Sequence, residues 1–162
     1  MASELHCPTA RLDLANRSSE LPRLAAWIEE QERALALPGS LAMNINLVLE
    51  EWVVNIISYA YADAAAHTIA VRLWRQPGRL CLEIEDDGRP FDPTVQASPD
   101  TDAPLDQRKI GGLGIHFIRQ TMDVMSYHRR DNHNVLTLMK VLPDADSSPQ
   151  PAADSDAPSH PV

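Results

Sequence analysis

Three short stretches carry side chains whose types and spacing could do chemistry. In Leu49-Glu50-Glu51-Trp52-Val53-Val54-Asn55 an acid and an amide stand four residues apart. On a helix that spacing places both on one face, one turn from each other. Their oxygens suit a hard cation such as Mg²⁺, and a carboxylate beside such a cation can take a proton from a hydroxyl. Asn55 is surrounded in sequence by Trp52, Val53, Val54, Ile56 and Ile57. Its amide therefore needs a definite partner, because burial without one costs about 1–3 kcal/mol; a hydrogen-bonded polar patch at a helix edge is the plainer alternative. In Glu83-Ile84-Glu85-Asp86-Asp87-Gly88-Arg89-Pro90-Phe91 an alternating strand runs into Asp-Asp-Gly and a proline. An ionised carboxylate only accepts hydrogen bonds, so at a strand's end it can select an exocyclic amine such as that of adenine. Gly88 would let a ligand approach the backbone closely, although an acidic turn reads the same way. In Ile110-Gly111-Gly112-Leu113-Gly114-Ile115 glycines precede a helix, where converging N–H groups at the positive helix end can hold a phosphate; a hinge is the alternative. No Lys-Ser/Thr follows, as a P-loop requires, and a long loop rather than a strand precedes, unlike the dinucleotide fingerprint.

Those residues need elements to position them. Ala10–Ala15 alternates and predicts a strand. Ser18 or Ser19 is a candidate cap for a helix with Leu21, Leu24, Trp27 and Ile28 on one face, and Pro38-Gly39 ends it. Ser40 then caps a longer helix over about Leu41–Tyr59. Strands are predicted over Thr68–Trp74 and Leu80–Glu85, with a turn at Gln76-Pro77-Gly78-Arg79. The stretch from Asp92 to Ile110 holds three prolines and four aspartates and predicts a long loop. A helix over Gly114–Met125 and a hairpin of Ser126–Arg130 with Val135–Val141, turning at Asp131-Asn132-His133-Asn134, complete the order β-α-α-β-β-loop-α-β-β. Strands clustered in the second half point to an α+β fold with helices on one face of a mixed sheet.

Composition bounds the rest. At 162 residues, 44% hydrophobic and 23% charged, the chain fits one globular domain. Acidic residues outnumber basic ones 23 to 14, for a net charge of −9. No basic stripe suggests nucleic-acid binding, and no apolar run of about 18 residues suggests a membrane span. The start lacks the pattern of a signal peptide, and Cys7 and Cys81 form no disulfide or metal framework, so a cytoplasmic setting is expected. Residues 1–9 read as an N-terminal extension. Residues 143–162, with five prolines and four aspartates, read as a disordered acidic tail. Removing those four charges from −9 leaves a body near −5.

Taken in order, Glu-x-x-x-Asn on a helix, Asp-x-Gly after a strand and Gly-x-Gly after a long loop, carried by LEEWVVNIISYAY, IEDDGRPFDP and GGLGIHFIRQTMDVMSY, resemble the GHKL (Bergerat-fold) ATP-binding family. The nearer likeness is to its bacterial anti-sigma-factor serine/threonine protein kinases of partner-switching systems, and it spans roughly residues 10–142. The resemblance implies a two-layer α/β sandwich, a mixed and mostly antiparallel sheet, and an ATP lid over about 92–111. By the same likeness Glu51 is the general base, with Glu50, turned about 100° around the helix, as second choice. Asn55 is the Mg²⁺ ligand, Asp86 meets the adenine amine and Gly88 gives the ring room. Gly112, Leu113 and Gly114 present backbone to the phosphates. Arg108 and Lys109 are phosphate-contact candidates whose alternative is a solvated basic pair. Arg119 is expected at the surface or in an ion pair. Tyr59-Ala60-Tyr61 departs from the His-Ala-Tyr that many relatives carry.

The activity this resemblance implies is ATP- and Mg²⁺-dependent phosphorylation of Ser or Thr on a STAS-domain anti-sigma-factor antagonist. A sigma factor is a second implied partner, and homodimers occur among relatives. No phosphoacceptor helix pair precedes the motifs and no transducer domain follows them in this sequence, which directs the expectation away from sensor histidine kinases and from the topoisomerase, chaperone and mismatch-repair relatives. A catalytically inactive, nucleotide-gated protein-binding switch is the alternative, with a plain ATPase behind it.

Overall fold

A computed structural model describes residues 10–97 and 112–143. The N-terminal extension, most of the expected lid with Arg108 and Lys109, and the tail beyond residue 143 lie outside the described residues. Five strands form one sheet: β1 (Ala10–Ala15), β2 (Thr68–Gln76), β3 (Arg79–Asp86), β4 (Val124–Arg130) and β5 (His133–Val141). Their spatial order is β1-β2-β3-β5-β4, and each pairing is antiparallel. Helices α1 (Leu21–Ala34), α2 (Gly39–Tyr59) and α3 (Gly112–Thr121) complete the expected element order. Alternate strand residues, among them Leu14, Val71, Leu82 and Leu138, share one buried core with Leu24 of α1, Leu49 of α2 and Ile118 of α3. Helices and sheet are thus two layers about a single interior, the α+β sandwich that the period-2 and period-3.6 patterns anticipate.

At 21 residues, α2 is long and apolar enough to cross a bilayer by length and composition alone, which corrects the expectation that no stretch qualifies. Its buried residues Ile45, Val48, Leu49, Trp52, Val53 and Ile56 recur at helical spacing and pack into the core, while Glu51 and Val54 lie exposed. It is the central helix of this domain, and its high apolar content follows from that position.

Element ends differ from the sequence expectation for identifiable reasons. Neither Ser18 nor Ser19 caps α1; Ser18–Glu20 makes a 3-10 turn, and no side chain caps either α1 or α2. Glu20 instead accepts from Arg23 Nη1 at 2.9 Å and from the Ala15 N–H at 3.4 Å. Helix α3 stops at Thr121 rather than continuing to Met125. The Asp123 N–H donates to the Met139 carbonyl at 2.9 Å, and the Asp123 carboxylate accepts the Val141 N–H at 2.7 Å. These bonds draw the chain into the sheet, and Val124 opens β4. The last hairpin turns on two residues, Asp131 and Asn132, both with positive φ (50° and 63°), as short right-twisted hairpins require. Asn134, expected in that turn, therefore belongs to β5.

Candidate active site

Asp86 ends β3, the middle strand of the five, and is only 3% exposed. Its Oδ1 accepts the Gly88 N–H at 2.9 Å and Asn134 Nδ2 at 2.9 Å. Burial pushes its carboxyl above the ordinary aspartate value; the Asn134 and Gly88 hydrogen bonds oppose that, the Asp87 charge adds to it, and the Arg129 charge opposes it. Gly88 is required sterically. A Cβ there would stand 2.5 Å from Ala60 Cβ, 2.8 Å from Asp86 Oδ1 and 2.9 Å from the Ala60 carbonyl oxygen. The Arg89 N–H donates to that same Ala60 carbonyl at 2.9 Å, so the turn after β3 is seated on the end of α2. Phe91 follows and lies against Trp52 of α2, ring centroids 6.2 Å apart.

The second cluster sits where α2 meets α3. Glu51 and Asn55 both face Gly114: a Cβ on Gly114 would lie 2.7 Å from Glu51 Oε2 and 3.4 Å from Asn55 Nδ2. The glycine at this position is what lets the first turn of α3 approach the acid and the amide. Asn55 Nδ2 is buried and has no hydrogen-bond partner among the described residues. Leu113, by contrast, is exposed, and Glu50 is half-buried.

Two arginines hold the chain that follows Gly88. Arg119 of α3 donates through Nη2 to the carbonyls of Pro93 at 2.7 Å, Thr94 at 3.1 Å and Gln96 at 2.8 Å. Arg119 is half-buried and bonds backbone carbonyls rather than an acid among the described residues, so of the two expected roles the ion pair is not the one found there. Arg129 of β4 donates through Nη1 to the Gly88 carbonyl at 3.1 Å. On the other side of the turn, Tyr61 stacks on His67 with centroids 4.1 Å apart. His67 bridges two acids, Nε2 to Asp63 at 2.8 Å and Nδ1 to Asp87 at 3.1 Å. Those partners, Asp63 first, raise the His67 pKa, and burial, then the Asp86 and Asp87 charges, push the Tyr61 hydroxyl pKa upward.

With this geometry in view, residues 14–140 match the histidine kinase-like ATPase domain family. The chain belongs to that family. It is 30% identical over 130 residues to the serine/threonine-protein kinase BtrW of Bordetella bronchiseptica, covering 80% of this chain and 92% of that protein. Its fold is similar to the RsbU and RsbW domains of Rv1364c from Mycobacterium tuberculosis, with a TM-score of 0.60 and 14% identity over 83% of this chain. The chain spans only about a third of that longer protein, 32% of its length. It is also similar to the SiaB–SiaC complex structure from Pseudomonas aeruginosa, with a TM-score of 0.51 and 21% identity over 81% of this chain and 89% of the other.

A Mg²⁺ brought by a triphosphate would draw many of its oxygen ligands from phosphate and water. Such an ion asks little of the protein, and the residues here fit: one amide, Asn55, with the Glu51 carboxylate beside it. No group of three or more His, Cys, Asp or Glu forms a cage among the described residues; among the same residues Asn55 Nδ2 has no hydrogen-bond partner, and the oxygen of that amide is the atom that would meet a cation. Of the residues singled out in the sequence, Glu51, Asn55 and Gly114 converge, Gly112 opens α3, and Asp86 with Gly88 forms the separate end of the site. Arg108 and Lys109 fall outside the described residues. Sequence reasoning missed Asn134, Arg119 and Arg129. The one signal for Asn134 is an amide next to the apolar run Val135-Leu136, and its place beside Asp131-Asn132-His133 makes it look like part of the turn.

Proposed function

We propose that this protein is an ATP- and Mg²⁺-dependent serine/threonine protein kinase of a bacterial partner-switching system. Its acceptor is a hydroxyl on a STAS-domain anti-sigma-factor antagonist, and it acts in the cytoplasm. The observation that carries this reading is the convergence of Glu51 and Asn55 on Gly114 at the first turn of α3, with a buried aspartate at the far end of the same site. The naming of BtrW as a serine/threonine-protein kinase supports it.

In this reading Asp86 accepts the adenine amine, and Gly88 leaves room for the ring. Gly112, Leu113 and Gly114 present backbone toward the phosphates, with Arg108 and Lys109 as further phosphate contacts. Asn55 would hold the Mg²⁺, which when bound would supply charge neutralisation at the transferring phosphoryl group. Glu51 takes the proton of the acceptor hydroxyl as its oxygen bonds to the γ-phosphorus, and the bond to the ADP oxygen breaks. A sigma factor and a second copy of this chain are further partners we propose on the likeness to relatives.

Glu51→Ala is the test, with phosphate transfer to the antagonist followed by radiolabel and ATP binding by calorimetry. Transfer should fall on the order of 10²–10⁴-fold, the usual worth of a general base, while ATP affinity is kept. A parent protein that binds ATP yet never labels any antagonist would move the reading to a nucleotide-gated switch.

A further inference from the structure

We propose that Asn134 is a positioning residue that aims Asp86 and keeps it ionised, so that the base is selected by its 6-amino group; the inference rests on the reading of Asp86 given above. Asn134 is 6% exposed, and five hydrogen bonds converge on its amide. Its Oδ1 accepts from the Tyr127 hydroxyl at 2.7 Å and from Arg129 Nη1 at 2.8 Å. Its Nδ2 donates to Asp86 Oδ1 at 2.9 Å, to the Arg89 carbonyl at 3.0 Å and to the Gly88 carbonyl at 3.4 Å.

Chemistry fixes which way this amide points. A guanidinium only donates, and a carboxylate and two carbonyls only accept. A flipped amide would set NH₂ against Arg129 and oxygen against three acceptors, losing every bond but the one to the tyrosine hydroxyl. The side chain therefore has one orientation, and Arg129, half of whose grip is on Gly88, selects it.

That orientation determines what Asp86 offers a ligand. Oδ1 already accepts two hydrogen bonds, and Oδ2 forms none among the described residues. An ionised Asp86 thus presents one acceptor, suited to an amine and repelled by a 6-oxo group. A protonated Asp86 would present an O–H as well and tolerate the oxo base. The groups acting on it are Asn134 and Arg129 from β5 and β4, the Gly88 N–H and Asp87 from the following turn, and Tyr61 beyond the end of α2, whose hydroxyl feels the Asp86 charge. Burial works against ionisation here and Asn134 works for it. Loss of the Asn134 donor moves protonation to higher pH, so amine recognition fails earlier as pH falls.

The experiment is binding of fluorescent ATP and fluorescent inosine triphosphate, which differ at the 6-position, to the full-length protein across pH, with and without Asn134→Ala. The parent should prefer ATP, with its ATP affinity falling only at the acid end. In the variant that fall should begin at higher pH, and within the acid limb the ATP-to-inosine-triphosphate ratio should drop about tenfold for each pKa unit gained, with no change at pH values where both proteins keep the carboxyl ionised. A folded variant with the parent's ratio and the parent's acid limb overturns the proposal, leaving Asn134 a packing residue. Arg129→Met, a change at an exposed side chain, should shift the limb the same way by less. If Asn134→Ala does not fold, an unshifted Arg129→Met overturns the proposal alone. A parent without any preference for ATP overturns the adenine reading of Asp86 itself, and this inference with it.

Discussion

Asp86, Asn55 and Gly114 were legible in the sequence because each breaks a local rule: an acid ending an apolar strand, an amide inside an apolar helix, a glycine opening a helix. What each touches was not legible. Asn134 lies 48 residues from Asp86, and only the register of β5 against β3, which pairs Asp86 with Asn134, brings them together. Gly114 gives a sharp prediction at this scale. A methyl group there would meet Glu51 Oε2 at 2.7 Å, and the flexible carboxylate would swing aside at little cost in stability. Gly114→Ala should therefore keep its thermal midpoint near the parent's while transfer falls by up to about 10²-fold, the scale on which a 1 Å misplacement acts. Steady-state transfer beside a thermal melt checks both halves.

At the level of elements, the junctions decide how the site is held. Arg119 ties α3 to the turn at Pro93–Gln96 through three carbonyls, so the segment beyond Gly88 and the helix that opens at Gly112 share one guanidinium. Arg119→Met keeps the aliphatic stem and removes those bonds. Amide exchange over residues 92–97 should quicken, read by mass spectrometry, and the KM for ATP should rise more than kcat falls. His67 is a second junction, joining the chain after α2 to Asp87 in the turn that follows β3. Its folded pKa lies above the unfolded one, so its stabilisation is complete below the unfolded value, about 6.5, and disappears as pH rises through the folded value. The gap in thermal midpoint between the parent and His67→Gln should be widest near about pH 5.5 and close in alkali. A gap that widens with pH would contradict the ion-pair account. Helix ends were poorly legible for the same reason: the serines that looked like caps are not used, and Asp123, an unremarkable residue in sequence, stops α3 by bonding to β5.

The whole molecule was the most legible level. Alternation in the strands and the 3–4 spacing in α1 and α2 are periodic signals summed over many residues, and they specify which face turns inward; the order β1-β2-β3-β5-β4 is a tertiary result that no single segment encodes. Leu82, in the middle of β3, is fully buried. Leu82→Ala should cost about 2–5 kcal/mol, seen as a lower urea midpoint with an unchanged slope. The placement of β3 has an outcome for heating experiments. Its edge toward β5 is paired up to Asp86 itself and its edge toward β2 up to Glu85, so no fraying of an outer strand releases that carboxylate. On warming, the Asp86 end of the site should persist until the entire domain melts, and ATP binding and the far-ultraviolet signal should be lost together in one transition.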